Sequence, residues 1–142
     1  MMIVRLNKKM ALGNIDRLIE IDEVVLDKPW TEDNFLVELP GKWEHSHVAL
    51  EDTNIVGFVI CSIKGENLHI HRIAVSPEYQ GRGGGTALVE YLFDDRSEYG
   101  MKYRHVTVRT KKYNTNAQRF YKMKNFKRIG SDGPDYVYKK VI

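Results

Sequence analysis

Cysteine and long apolar runs are scarce in this sequence. Its 142 residues include one cysteine, Cys61, which lies in the apolar stretch IVGFVICSI and has no second cysteine with which to form an internal disulfide. A lone cysteine among apolar neighbours is typical of a buried side chain in a reducing compartment rather than of a reactive thiol. No apolar run approaches the roughly 20 residues of a membrane-spanning helix, and the first residues lack the apolar core of a signal peptide. We therefore expect a cytoplasmic protein without a membrane segment.

Internal repeats, low-complexity tracts and linkers rich in proline or serine are also missing. Nothing in the sequence signals a domain boundary, so residues 1–142 are predicted to form a single domain that is long enough to bury a core without disulfides. The formal net charge is +3, and the basic residues are concentrated after residue 102. That distribution predicts a local site for an anion more than direct binding of nucleic acid.

Two common phosphate-binding motifs are absent. The chain has no Gly-Lys-Ser/Thr of a P-loop, and a dinucleotide fingerprint read from Gly81 would need a glycine where Thr86 stands. The segment VSPEYQGRGGGTALVEYL instead places glycines at positions 81, 83, 84 and 85, before an amphipathic helix. The first N–H groups of a helix are unpaired and favour an anion, and glycine lets that anion approach closely. A phosphate cradle and a purely structural loop are the two interpretations.

Hydrophobic periodicity predicts a mixed α/β fold. The expected order of elements is β-α-α-β-β-β-α-β-α-β-β, a mostly antiparallel central sheet of about seven strands flanked by about four helices. The strands are predicted over residues 2–6, 45–52, 54–64, 67–75, 103–110, 126–129 and 136–141. The helices are predicted over residues 12–26, 32–39 and 86–99, and from 115 onward. Pro29 closes the first helix, Thr31 caps the second, Gly100 ends the third, and a capping box at Thr115 starts the fourth.

Two motifs in these elements carry a family resemblance. The first is Gln80-Gly81-Arg82-Gly83-Gly84-Gly85, between a strand and a helix, and the second is Asn114-x-x-Ala117-x-x-Phe120-Tyr121, on the next helix. Both occur in order and in the expected structural positions, and the match covers nearly the whole chain. The sequence thus resembles the GNAT superfamily of acyl-CoA-dependent N-acetyltransferases. Gly84 stands where relatives usually have an apolar residue, and Asn125 where they usually have glycine.

The resemblance implies acetyl-CoA as co-substrate and no metal. The pyrophosphate is expected on the backbone of residues Gln80, Gly81, Arg82, Gly83, Gly84, Gly85 and Thr86. The preceding strand residues Ile73, Ala74 and Val75 are expected to carry a distortion whose backbone N–H faces the acetyl carbonyl. Asn114 and Ala117 are expected against the pantetheine arm, and a role as the helix N-cap is the alternative for Asn114. Tyr121 is predicted to return a proton to the departing thiolate, and the alternative for this side chain is an aromatic core residue.

The general base is not evident from the sequence. Close relatives often carry Glu or His where this chain has Thr107, which cannot serve as a base. Strand alternation puts His105 on the face of Thr107, and His69 and His71 on one face of the neighbouring strand. We therefore predict that His71 or His105 acts through water, although each is open to a packing role. An α-amine, whose pKa is about 8, needs less help than a lysine, whose pKa is about 10.4.

The acceptor is predicted from LDKPWTEDNF, which is similar to the Pro-Trp-Ser/Thr segment of ribosomal-protein-alanine N-acetyltransferases. In those proteins it borders the acceptor groove, so Trp30 and Phe35 are candidate substrate-binding residues, with core packing as the alternative. The leading hypothesis is acetyl transfer to a peptide or protein N-terminal amine. Acetylation of a small amine, of polyamine or aminoglycoside type, and a non-catalytic acyl-CoA-binding module are the alternatives. The sequence leaves a homodimer open.

Overall fold

The computed structural model describes residues 1–25, 28–94 and 102–142. Its centre is a sheet of seven strands. In chain order they are β1 (Met2–Arg5), β2 (His47–Glu51), β3 (Asn54–Lys64), β4 (Asn67–Val75), β5 (His105–Lys111), β6 (Lys127–Asp132) and β7 (Asp135–Val141). Their order in the sheet is β1-β2-β3-β4-β5-β7-β6. All neighbours are antiparallel except β4 and β5, which are parallel. This confirms the predicted mixed, mostly antiparallel sheet.

Six α-helices and one short 3₁₀ helix (Pro77–Tyr79) accompany the sheet in the described residues, where about four helices were predicted. The α-helices are α1 (Lys8–Gly13), α2 (Ile15–Val25), α3 (Glu32–Leu36), α4 (Lys42–His45), α5 (Gly84–Tyr91) and α6 (Thr115–Met123). The predicted first helix is divided at Asn14, which is the C-cap of α1, and residues 26 and 27 lie outside the described residues. Helix α4 is too short for a periodic signal, and its His45 was wrongly placed in a strand that in fact begins at His47.

The ends of three helices differ from their predicted positions. Thr31 caps α3 as predicted, with a reciprocal bond to Asn34, but the helix ends at Leu36 and not at residue 39. Helix α5 begins at Gly84, two residues earlier than predicted, and ends at Tyr91; its predicted end at Gly100 falls outside the described residues. Helix α6 is capped by Asn114, whose Oδ1 accepts the N–H of Ala117 at 3.0 Å, so the cap lies one residue before the predicted Thr115.

A lysine of α4 binds carbonyl groups at the end of α3. The side chain of Lys42 is buried, and its Nζ donates to the carbonyl oxygens of Phe35 at 2.6 Å and Val37 at 2.8 Å. A cation at the end of a helix satisfies carbonyls that the helix itself leaves unpaired. Burial lowers the pKa of Lys42 to about 8.

The core is divided between the two faces of the sheet. One cluster contains residues of β3, β4, β5 and β7 together with α5 and Tyr121 of α6. The second lies on the other face, beneath α1, α2 and α3, and its strand residues come from β1 to β4. Cys61 is fully buried in the first cluster, as predicted, and burial raises the pKa of its thiol. Among the described residues, no helix is long and apolar enough to cross a membrane.

Candidate active site

Strands β4 and β5 are paired only over the first part of β4. Their register runs from Asn67 with His105 to Ile70 with Val108, and no described residue pairs with the β5 side of β4 beyond Ile70. The gap is a cavity of about 490 Å³, here called the central cavity, which lies between β4, β5 and α6. Of the predicted site residues, it is lined by His71, Ile73, Asn114, Ala117 and Tyr121.

A bulge in β4 lies at the point where the strands separate. Ile60 of β3 pairs with Arg72 and Cys61 pairs with Ile70, so His71 is an extra residue in β4. The predicted distortion over 73–75 is therefore wrong in position, because the irregularity lies at His71. Residues 73 to 75 pair regularly with β3.

The regular pairing fixes the direction of the backbone after the bulge. The N–H of Ser76 donates to the Val56 carbonyl of β3 at 2.8 Å. Since N–H groups alternate in direction along a strand, those of Val75 and Ile73 point away from β3, towards the gap. The Ala74 side chain instead packs in the second core cluster.

The glycine loop forms a second cavity, the loop cavity, of about 430 Å³. Gly81 and Gly83 have φ angles of +78° and +85°, a region that favours glycine. A Cβ on Gly84 would lie 3.3 Å from Val75 Cγ1, a tight contact that a larger residue could make only if Val75 shifted by a few tenths of an ångström. The cavity is lined by Val75, Gln80, Gly81, Gly83, Gly84, Gly85, Thr86 and Phe120.

Backbone amides are available along this loop. The first backbone bond of α5 runs from the Ala87 N–H to the Gly83 carbonyl at 2.9 Å. Within the described residues, no backbone carbonyl accepts the N–H groups of residues 83 to 86, so they are available to an anion. The Gln80 side chain donates to the Val75 carbonyl at 2.9 Å and thereby joins the loop to the end of β4. Arg82 is exposed, with its guanidinium 5.3 Å from the Tyr79 ring centre, and does not line the loop cavity.

Tyr121 is held in the wall of the central cavity by the end of its own helix. The Phe126 N–H donates to the Tyr121 carbonyl and the Asn125 N–H to the Lys122 carbonyl, both at 3.0 Å, which is the Schellman pattern. The Tyr121 and Phe126 rings pack edge to face at 5.2 Å. Burial raises the pKa of Tyr121, so its hydroxyl keeps its proton at neutral pH.

Two histidines face the central cavity, and the third predicted one does not. The rings of His69 and His71 lie 4.9 Å apart; His71 Nε2 is 2.6 Å from Ser62 Oγ, and His69 Nδ1 is 2.8 Å from Thr107 Oγ1. His105 lies at the first register pair of β5, with its Nδ1 3.1 Å from Asn67 Oδ1, and does not line the cavity. The structure therefore corrects the proposal of His105 and favours His69 beside His71.

Both cavity histidines are neutral at physiological pH. Burial is the main cause that lowers the pKa of each to about 4. The positive charges of Lys64 and Arg109 lower the pKa of His69 further, and those of Lys64 and Lys42 lower that of His71. Each ring therefore remains neutral and is a weak base at pH 7.

An ion pair that the sequence analysis missed joins the cavity to the Pro-Trp segment. Arg72 lines the central cavity, and its Nε and a terminal nitrogen donate to the two carboxylate oxygens of the buried Asp22 at 2.8 and 2.9 Å. Asp22 also accepts the Trp30 N–H at 2.7 Å, and Arg72 donates to the Lys28 carbonyl. The signal available in the sequence was Asp22 itself, an acid beside the apolar face of α2.

The two predicted acceptor residues have different environments. Trp30 is half-buried, with the Arg72 guanidinium 5.3 Å from its ring centre. Phe35 is only 1% exposed and packs edge to face on Trp30 at 5.1 Å and on Phe58 at 5.4 Å. The prediction that Phe35 contacts substrate is therefore wrong, and its side chain belongs to the second core cluster.

The fold and these motifs define the family of the protein. The Acetyltransferase (GNAT) family profile matches residues 15–126, and the chain belongs to that family. It is 33% identical over 82 residues to a Bacillus subtilis (strain 168) protein named as a ribosomal protein bS18-alanine N-acetyltransferase, a match covering 57% of this chain and 54% of that one. The chain thus spans about half the length of that relative.

Solved structures with low sequence identity share the fold. The ribosomal-protein-S18-alanine N-acetyltransferase of Escherichia coli superposes with a TM-score of 0.80 at 19% identity, over 99% of this chain and 93% of that one. Naa50 of Arabidopsis thaliana, solved with the bisubstrate analogue CoA-Ac-MVNAL, gives a TM-score of 0.74 at 18% identity, over 99% and 98% of the two chains.

Proposed function

We propose that this protein transfers the acetyl group of acetyl-CoA to the N-terminal α-amine of a peptide or protein. The observation that carries the proposal is the unpaired edge of β4, which runs from the glycine loop into a cavity that contains neutral histidines and a protonated tyrosine. The name of the Bacillus relative and the peptide-CoA analogue bound by Naa50 support the same reaction. The buried thiol of Cys61 is consistent with a cytoplasmic location.

Coenzyme A fits the two cavities by its chemistry. Its pyrophosphate needs several N–H donors, and the unpaired amides at the start of α5 supply them, beside glycines that admit close approach. The pantetheine arm needs polar partners in a narrow gap. The Thr110 hydroxyl lines the central cavity and is buried without a partner among the described residues. We assign that hydroxyl, with Asn114 and Ala117, to the arm.

The thioester is the activated group that acetyl-CoA supplies. We assign its carbonyl oxygen to a backbone N–H donor and its leaving sulfur to a tyrosine. The Ile73 N–H points into the gap beside the central cavity and is the donor we assign to the acetyl carbonyl oxygen. The Val75 N–H lies about 7 Å further along the strand, so we assign it to the pantetheine arm. Tyr121, buried and protonated, is the acid we assign to the leaving sulfur.

The acceptor amine must be neutral to attack, and the charges near the histidines favour that form. Lys64, Arg109 and Lys42 act on the cavity histidines, and these positive charges also disfavour an ammonium ion there. An α-amine, with a pKa of about 8, loses its proton under these conditions far more readily than a lysine side chain at about 10.4. A polyamine or aminoglycoside carries several positive charges and is disfavoured by the same cations.

An acceptor screen tests this proposal. Thiol release from acetyl-CoA is followed with peptides that have a free N-terminus, with N-terminally blocked peptides that contain lysine, and with spermidine and an aminoglycoside. We expect turnover with the free N-termini and little with the other classes. Faster turnover of the small amines would reject the peptide acceptor, and no turnover with any amine would favour a binding module.

A further inference from the structure

A row of polar side chains crosses the sheet from the central cavity to its outer strand. Register pairs join Ser62 to His69, His69 to Thr107, Thr107 to Lys139, and Lys139 to Lys127. Paired residues of neighbouring strands point to the same face, and the contact of 2.8 Å between His69 and Thr107 agrees with this. We call this side of β4, β5, β7 and β6 the front face.

The position of the two lysines at the end of the row lowers the stability of the fold. Lys127 and Lys139 are directly opposite on antiparallel strands, where like charges repel. Elsewhere on the front face the cations are neutralised, since Arg109 pairs with Asp132, and Lys111 with Asp135 at 3.1 Å. No carboxylate of the described residues lies within ion-pair distance of Lys127 or Lys139, so this pair has no anion from the described part of the fold.

The front face is accessible at these lysines. Every residue of β6 is exposed, and Lys139 is partly exposed. The core cluster beneath α1, α2 and α3 contains no residue of β5, β6 or β7, so in the described residues that layer ends at β4. An extended ligand can therefore run outward across the strands from the cavity.

The phosphates of coenzyme A are too far away to be this anion. The loop cavity is at Val75, six residues along β4 from His69, or about 20 Å, and Lys139 lies two further strands across the sheet. The anion must therefore come from elsewhere, and the acceptor is the other ligand of the site. Strand spacing puts Lys139 about 10 Å and Lys127 about 14 Å from His69, which matches about the third to fifth residue of an extended peptide.

We infer that the acceptor carries an acidic side chain at about its third to fifth residue, and that this carboxylate binds between Lys139 and Lys127. The inference rests on the proposed function, because it places the amine at the histidine end of the row. It assigns to this enzyme a preference for acidic peptide N-termini, with the lysine pair as the residues that determine specificity.

The test uses three peptides that share a free N-terminus and differ only at residue 4, which is Glu, Gln or Lys; positions 3 and 5 are then scanned in the same way. We expect kcat/KM for the Glu peptide to exceed that for the Gln peptide by about fivefold at low salt, with a smaller ratio at 0.5 M NaCl, as for an exposed ion pair. The Lys peptide is expected to be the poorest. Lys127→Gln/Lys139→Gln should bring the Glu-to-Gln ratio to about one, whereas Lys127→Arg/Lys139→Arg should preserve it.

Lys9→Gln is the matched control, because Lys9 is an exposed lysine of α1, whose core cluster contains no residue of β5, β6 or β7, and its loss should leave the ratio unchanged. Equal kcat/KM for the Glu and Gln peptides at all three positions would overturn the inference while leaving peptide acetylation intact, whatever other anion the lysines bind. A ratio that survives Lys127→Gln/Lys139→Gln would also overturn it. If no peptide is acetylated at all, the proposed function fails and the inference fails with it.

Discussion

Asn125 shows how a single residue positions the candidate acid. It has a φ angle of +68°, in the left-handed region where relatives usually have glycine, and Asn is among the residues that tolerate this conformation best. That conformation allows the two C-terminal bonds of α6, which place Tyr121 against Phe126 and in the cavity wall. A departure from the family pattern thus leaves the local geometry intact.

Removal of the Tyr121 hydroxyl separates catalysis from packing. Tyr121→Phe keeps the ring that packs on Phe126, so we expect an unchanged Kd for acetyl-CoA. We expect kcat to fall by roughly 10²-fold, because the leaving thiolate loses its proton donor. Steady-state kinetics and direct binding of acetyl-CoA measure the two quantities. Equal kcat in variant and wild type would assign Tyr121 to the core alone.

At the scale of elements, strands were more predictable than helices. The bounds of β3 and β4 agree with their apolar runs residue for residue, because short turns flank both strands. The break at Asn14 and the short α4 could not be predicted, since each depends on tertiary contacts rather than on periodicity.

The candidate site was predictable where a motif carried it. The glycine loop lies between a strand and a helix, as the sequence predicts, and lines the loop cavity. The α6 motif lies on the predicted helix and lines the central cavity. The bulge at His71 was not predictable in position, because it is a property of the register between two strands. The separate register between β4 and β5 sets His105 apart from His69 and His71, because it pairs His105 with Asn67 and His69 with Thr107.

The start of α5 gives a prediction at this scale. Gly83 has a φ angle of +85°, so Gly83→Val must rotate the backbone that presents the loop amides. We expect the Kd for acetyl-CoA to rise tenfold or more, about 1.4 kcal/mol of binding free energy. Gly65→Val is the matched control, because Gly65 has a φ of +61° in the turn between β3 and β4, away from the loop. Calorimetry measures the Kd for acetyl-CoA of both folded variants. Equal Kd values for Gly83→Val and Gly65→Val would mean that the pyrophosphate binds elsewhere.

For the whole molecule, buried histidines and surrounding cations predict two pH dependences. His69 and His71 have a pKa of about 4 when folded and 6.5 ordinarily, so the unfolded chain binds more protons between these values. The free energy of unfolding should therefore fall as the pH drops from 6.5 to 4, and urea titrations should show a flatter dependence in His69→Gln/His71→Gln.

The pH dependence of the activity should reflect the pKa of the acceptor amine rather than the pKa values of the histidines. Because both rings are already neutral above about pH 5, kcat/KM should rise with pH to the pKa of the free α-amine, about 8, and then level off. The apparent pKa in kcat should be lower than that in kcat/KM, because nearby cations disfavour the bound ammonium. An acid limb near pH 6.5 in both profiles would instead indicate a histidine base.

The central claim, acetyl transfer to an N-terminal amine, is tested most directly by locating the acetyl group on one peptide that offers both kinds of amine. A peptide with a free N-terminus, glutamate at residue 4 and an internal lysine is incubated with the enzyme and acetyl-CoA at pH 7.5, and fragment-ion mass spectrometry assigns the modified nitrogen. The account predicts acetylation of the α-amine at least about tenfold above that of the lysine, in line with their neutral fractions. Acetyl groups found mainly on the lysine side chain would contradict it.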